Sequence, residues 1–222
     1  MSIHLTPPIT YLITSGRTTV HTSPNDPDYY SILKLIEAAA ASEVSLIQLR
    51  EKNLSARVLY QLAVEAVSIT RGSRTRLLIN DRFDVALAAC ADGVQLTSRS
   101  INTGVVRTLC GQEFLLGVST HSLNEARSAR TDGADFVLFG PVFETASKRT
   151  FGQPQGVDKL KEVVSALDDF PVIAIGGVSE QNAFECLTTG VAGIAAISLF
   201  QDASKLHSVI VAIKSGYQHD GC

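Results

Sequence analysis

The chain has 222 residues, of which 45% are hydrophobic and 18% charged, with a formal net charge of −3. This composition supports a sizeable core and excludes a disordered polymer. The near-balanced charge gives no reason to expect a nucleic-acid or anionic-membrane partner, so small-molecule chemistry is the expectation.

Short apolar runs alternate with longer segments of helical period along the whole chain. The runs predicted as strands are Thr10–Thr14, Leu46–Leu49, Leu77–Ile79, Gly93–Leu96, Leu115–Val118, Phe136–Phe139, Val172–Ile175 and Ile194–Ile197. Most are continuous and aliphatic, as parallel strands covered on both faces require. Between and after them, apolar residues three and four apart predict helices over Tyr29–Ala41, Ala56–Arg71, Phe83–Ala91, Val105–Cys110, Leu123–Asp132, Val157–Leu167, Glu180–Thr189 and Lys205–Gly216. Ser122 followed by Glu125 is a capping box that starts the fifth helix. Gly93, Gly133 and Gly190 each fall at or just past a helix end, where positive φ is cheap. Eight strand–helix pairs without a dividing linker predict a single (β/α)8 TIM barrel over residues 1–222. The alternative, a Rossmann-like open sheet, lacks a GxGxxG at its first turn.

Cys90, Cys110, Cys186 and Cys222 show no paired spacing, which suggests free thiols in a reducing compartment rather than a zinc site or disulfide framework. No basic segment leads into an apolar one at the N-terminus, and the longest apolar stretches are about half of the roughly 20 residues needed to span a bilayer. The expectation is a cytoplasmic protein without membrane contact, with homo-oligomerisation left open.

A barrel of this kind carries its active site at the C-terminal ends of its strands. After strand two come Gln48, Arg50, Glu51 and Lys52: the two cations suit a phosphate or pyrophosphate, or form a solvated charged turn. Asp81, after strand three, is an oxygen ligand for magnesium or the cap of the helix that begins at Phe83. His121 stands on the turn between strand five and its helix, in a catalytic or a structural role. After strand six runs the longest loop, up to Gly156, in which Thr145, Ser147 and Lys148 offer hydroxyls and a cation to an anion; it reads as a mobile lid or as plain surface. Gly176–Gly177 after strand seven and Ser198 after strand eight occupy the positions where such barrels bind phosphate through backbone N–H groups.

Taken together, QLREK (48–52), INDRFDVALAACADGVQL (79–96), GVSTHSLNEA (117–126), DGADFVLFGPVFETASK (132–148) and PVIAIGGVSEQNA (171–183) resemble the thiamine phosphate synthase/TenI superfamily, most strongly over 46–200. The resemblance implies a TIM barrel whose ligands are thiazole phosphates. In the synthase branch, a magnesium-dependent reaction joins a pyrimidine methyl pyrophosphate to thiazole phosphate. On that pattern Arg50, Lys52, Asn80, Ser119 and Lys148 would hold the pyrophosphate, Asp81 the metal, and Gly177 and Ser198 the thiazole phosphate. Gln48, Thr145, Ser147, Gly176 and Ile197 complete the implied ligand-binding set. The pattern also has an HxGQxD-like element after strand four, whose aspartate is the second metal ligand. Here Gln95 replaces its histidine and Ser100 stands where the aspartate belongs.

A neutral hydroxyl is a poor ligand for a doubly charged ion. VQLTSRS (94–100) is similar instead to the TenI-like branch, which includes metal-free thiazole tautomerases. The favoured expectation is therefore a tautomerase with His121 as acid/base and no cofactor. The alternative is a synthase whose Mg2+ is held by Asp81, water and the pyrophosphate, with Asp84 or Glu51 compensating for Ser100. A third reading is a non-catalytic binder of thiazole phosphate.

Overall fold

A computed structural model describes residues 5–144 and 153–218. Eight parallel strands close into a barrel in sequence order: β1 (Ile9–Ile13), β2 (Leu46–Leu49), β3 (Arg76–Asn80), β4 (Gly93–Leu96), β5 (Leu115–Thr120), β6 (Phe136–Phe139), β7 (Val172–Ile175) and β8 (Gly193–Ala196). The closing pair runs in register from Ile9 opposite Gly193 to Leu12 opposite Ala196. The outer layer comprises α1 (Pro27–Ala41), α2 (Ala56–Thr70), α3 (Phe83–Ala88), α4 (Thr103–Cys110), α5 (Leu123–Thr131), α6 (Gly156–Leu167), α7 (Ala183–Leu187) and α8 (Leu206–Gln218). This is the (β/α)8 architecture expected from the sequence.

The aliphatic runs form strands because both of their faces are buried. Alternate side chains point inward, where Ile9, Tyr11, Ile13, Leu46, Leu78, Leu115, Phe136, Leu138, Ile173 and Ala195 fill the barrel. The intervening ones, among them Leu12, Ile47, Leu77, Val94, Leu116, Val137 and Ile194, lie in the larger cluster that includes the buried helix residues. Tyr11 and Phe136 meet edge to face at the centre, with ring centroids 5.9 Å apart.

Three local differences have identifiable causes. Gly133 and Gly190 take positive φ at helix ends, but at the third such turn the left-handed residue is Cys90 (φ 57°), and Gly93 is the first residue of β4. α7 is shorter than its periodicity predicts. The Asn182 side chain accepts from Ser179 N and donates to Gly177 O, closing a turn before the helix can begin. Beyond β8 the chain makes a single 3-10 turn, Ser198–Phe200.

The N-terminal rim of the barrel is electrostatically closed. Arg107, 9% exposed, donates to Gly133 O, Gly111 O, Phe114 O and the Asp135 carboxylate. Asp135 also accepts from Leu116 N, and Asp92 takes Leu77 N together with the Arg76 guanidinium. Arg76, Asp92, Arg107 and Asp135 are thus all paired there, and each pairing ties a strand or loop of the rim.

Candidate active site

At the C-terminal ends of the strands the pattern of charge is different. Glu51 is only 2% exposed, although it lies between Arg50 and Lys52. One carboxylate oxygen accepts from Gly16 N at 3.1 Å, and the other from Thr18 Oγ1 at 2.7 Å and Thr18 N at 3.4 Å. Glu51 is therefore the clamp of the β1–α1 loop. Arg50 N donates to Thr14 Oγ1, which fixes the same junction from the strand side. With Glu51 so used, Arg50 and Lys52 have no ion pair among the described residues. The Lys52 ammonium is held below the usual lysine range, first by partial burial and next by the charge of Arg50.

Asp81 does not cap α3. The N-cap position is Arg82, which makes no side-chain cap bond, and Asp81 sits in the left-handed region at φ 64°. Its own N–H bonds Gln95 O, and its carboxylate accepts no hydrogen bond among the described residues. A non-glycine residue pays roughly 1 kcal/mol for this conformation, a cost that clusters at functional positions. Asp84 is unavailable to help it, being held in two bonds by Arg82 at 2.8 and 2.6 Å. Lys52, Asn80, Asp81 and Arg82 line one cavity of about 220 Å³ together with Glu51. Asn80 Oδ1 accepts from Gln48 Nε2 at 3.5 Å.

Gln95 is fully buried inside the barrel mouth. Its Oε1 accepts from the Tyr11 hydroxyl and its Nε2 donates to Ser119 Oγ, so it links β1, β4 and β5. Gly117 beneath it has no room for a side chain, since an added Cβ would lie 2.3 Å from Gln95 Oε1 and 2.4 Å from the Phe136 ring. Just beyond β4, Thr97 and Ser100 close a turn: Ser100 Oγ accepts from Thr97 N at 2.7 Å, and Ser100 N donates to Thr97 O.

His121 is half-buried. Glu125 reaches back to its N–H, and Ser122 Oγ accepts from Glu125 N, so the capping box is formed one residue wider than the simplest version. The imidazole Nδ1 bonds Gly140 O. A carbonyl only accepts, so Nδ1 carries the hydrogen and Nε2 is left with its lone pair for proton transfer.

Gly176 (φ 98°) and Gly177 (φ 67°) are both left-handed, and the backbone that crosses them is that of Pro141–Glu144. A Cβ on Gly176 would lie 2.5 Å from Pro141 Cα, and one on Gly177 2.6 Å from Glu144 O. Phe143 N donates to Gly176 O, so these loops are pinned together. Ser198 is exposed and, with Ser179, Gln181 and Lys205, lines a second cavity of about 450 Å³; Ile197 immediately precedes it. Thr145, Ser147 and Lys148 lie outside the described residues. An apolar groove of about 590 Å³ between α7 and α8 contains none of the candidate residues.

The structure thus brings Gln48, Lys52, Asn80 and Asp81 together at β2–β3, ties Ser119 to Gln95, and docks His121 against β6. It leaves Ser198 in a separate cavity. No group of three or more His, Cys, Asp or Glu that could hold a metal occurs among the described residues. Magnesium nevertheless uses one or two carboxylates plus substrate phosphates and waters, and Asp81 is a carboxylate without a hydrogen bond or ion pair among the described residues, beside cations suited to a phosphate. The donor set fits an ion shared with a phosphorylated ligand, with Asp81 as its protein carboxylate. Glu51 and Asp84 do not fit the compensating roles expected of them, because both are bound elsewhere. Sequence reasoning missed the Glu51 clamp and the Gln95 bridge, whose partners lie 33–35 and 24–84 residues away.

Comparison with known proteins gives a consistent picture. A family model described as "Thiamine monophosphate synthase" matches residues 18–200. A "Putative thiamine-phosphate synthase" of Geobacter sulfurreducens is 46% identical over 167 residues, covering 75% of this chain and 78% of that protein. The "Thiamine-phosphate synthase" of Clostridium novyi is 39% identical over 168 residues, covering 76% and 82%. The solved structure of thiamine phosphate pyrophosphorylase from Pyrococcus furiosus superposes with a TM-score of 0.77 at 31% identity, covering 96% of this chain and 97% of its own.

Proposed function

The chain belongs to the thiamine monophosphate synthase family, and on that footing we propose that it is a transferase joining a pyrimidine methyl pyrophosphate to a thiazole phosphate. The observation that carries this reading is the contrast between the two rims. At the N-terminal rim Arg76 pairs with Asp92 and Arg107 with Asp135, whereas Arg50, Lys52 and Asp81 at the other end have no ion pair among the described residues. Unmatched charges at strand ends suit a charged ligand better than they suit stability. The comparisons support this activity over the tautomerase favoured by the sequence reading.

In the proposed reaction the carbon–oxygen bond to pyrophosphate breaks as a bond from the same methylene carbon to the thiazole forms. Arg50 and Lys52 would take up the negative charge that builds on the departing pyrophosphate, and Asn80 would orient it. Lys148 would join them. Asp81 would hold magnesium, whose chemistry is to neutralise the pyrophosphate and improve it as a leaving group. The backbone at Gly176–Gly177 and the Ser198 hydroxyl would hold the thiazole phosphate. Mixing the two precursors with magnesium should give thiamine phosphate and pyrophosphate in equal amounts, and Asp81→Asn should lower turnover by about 100-fold. No product at saturating magnesium would refute the proposal.

One observation favours a second reading. Ser100 Oγ is engaged by Thr97 N, and His121 Nε2 is set up for proton transfer by the Nδ1 bond to Gly140. A metal-free thiazole tautomerase needs little more than such a base and a phosphate grip. Isomerisation of a thiazole carboxylate phosphate, abolished by His121→Ala, would establish it; full activity in that variant would remove it.

A further inference from the structure

The turn after β4 carries an unused cation. Thr97 and Ser100 close it through two bonds, and a third, from Arg99 N to Thr97 Oγ1, ties in the residue between them. This turn stands beside Asp81, because Asn80 is opposite Gln95 in the sheet and Asp81 N donates to Gln95 O. The Arg99 side chain is exposed and has no ion pair among the described residues. Its positive charge is felt at Lys52, two strands away, where it adds to burial and Arg50 in lowering the ammonium's proton affinity. Arg82 is neutralised by Asp84 and Glu51 is engaged by the β1–α1 loop. Arg50, Lys52 and Arg99 thus have no ion pair among the described residues, and neither has Asp81, which lines a cavity with Lys52.

We propose that Arg99 is an anion-binding residue of this site, its guanidinium taking the pyrophosphate group together with Arg50 and Lys52. The identity of the anion rests on the transferase reading; the role of Arg99 rests on the placement of its turn. A guanidinium presents paired donors that match two phosphate oxygens, and a backbone-tied turn limits the freedom lost on binding.

The test is calorimetric titration with inorganic pyrophosphate, in EDTA and again with magnesium, for the wild type, Arg99→Ala and Arg99→Lys. The expected result is measurable binding in EDTA, weakened by about tenfold or more in Arg99→Ala and partly retained in Arg99→Lys. Equal affinity for the wild type and Arg99→Ala, or no binding to the wild type, overturns the proposal. Circular dichroism confirms that the variants fold, as the exposed side chain makes no packing contact that folding requires. Binding sensitive to Arg99 without transferase turnover would sink the synthase reading and leave the Arg99 assignment standing. Turnover with binding indifferent to Arg99 would do the reverse.

Discussion

Replacing Glu51 by glutamine separates its structural role from the charge it carries. The two side chains have nearly the same shape, so packing is preserved. Both carboxylate oxygens are acceptors, however: Oε1 from Gly16 N, Oε2 from Thr18 Oγ1 and, more weakly, Thr18 N. A glutamine amide places an NH2 in one of these positions. The less costly choice puts it at the Thr18 side, where the hydroxyl can rotate to accept and only the long 3.4 Å bond from Thr18 N is lost. The remaining bonds also lose their charge assistance. Together these changes cost about 2 kcal/mol, the scale of one buried unsatisfied group or of charge assistance to a buried pair. Because the bonds hold a loop, the loss appears first as local opening. Native-state amide exchange at Gly16 and Thr18 should accelerate by about 30-fold, the equivalent of that energy. Glu51→Ala, which removes all three acceptor contacts, should exceed it. Unchanged protection of both amides in Glu51→Gln would refute the clamp.

Gly117→Ala drives a methyl into Gln95 Oε1 and the Phe136 ring; it should cost roughly 1–3 kcal/mol in urea denaturation and weaken ligand binding by displacing the Gln95–Ser119 bond, and an unchanged midpoint would contradict the packing. Lys52 binds anions only as the ammonium, and its proton affinity is already lowered, first by burial and then by Arg50. Affinity for inorganic pyrophosphate should therefore decline, as pH is raised, earlier than an ordinary lysine would impose, with proton uptake on binding; Lys52→Arg should flatten the profile in calorimetry. Cys186 is buried, and burial pushes its thiol up to about 12. Under native conditions at mildly alkaline pH, iodoacetamide should label exposed Cys90 and spare Cys186, as read by peptide mass spectrometry; rapid labelling of Cys186 would show that the α7 region opens readily.

The barrel was legible because its strands must be apolar on both faces, and the continuous aliphatic run Val172–Ile175 matches the observed strand to the residue. Boundaries slipped where a side chain closes a turn, as Asn182 does ahead of α7, because periodicity does not register such bonds. The site was legible as a set of polar residues at strand ends, but their roles depended on backbone angles and distant partners. Asp81 read by itself as a cap before a ligand, but the N-cap position falls on Arg82 and Asp81 takes φ 64°. Gly176–Gly177 announced an unusual backbone, while its covering by Pro141–Glu144 comes from another loop altogether. Glu51 read as part of a charged turn or as a compensating metal ligand, and is instead bonded to Gly16 and Thr18.

The last point decides how the site handles charge. Had Glu51 faced Arg50 and Lys52, the QLREK segment would be neutral enough to rest without a ligand. Turned into the β1–α1 loop, it leaves like charges close together, and the proton affinity of Lys52 is lowered first by burial and then by the charge of Arg50. Asp84 is likewise withdrawn by Arg82. Glu51 and Asp84 are thus both held by other groups, whereas Asp81 accepts no hydrogen bond among the described residues. Repulsion of this kind makes the empty site less favourable and is relieved by a ligand carrying several negative charges, so part of the binding selectivity is already written into the unliganded protein. A singly charged phosphate ester would relieve it less than pyrophosphate does. On the proposed reading, cations that supply most of the compensation would leave a metal in need of only a single protein anchor, at Asp81.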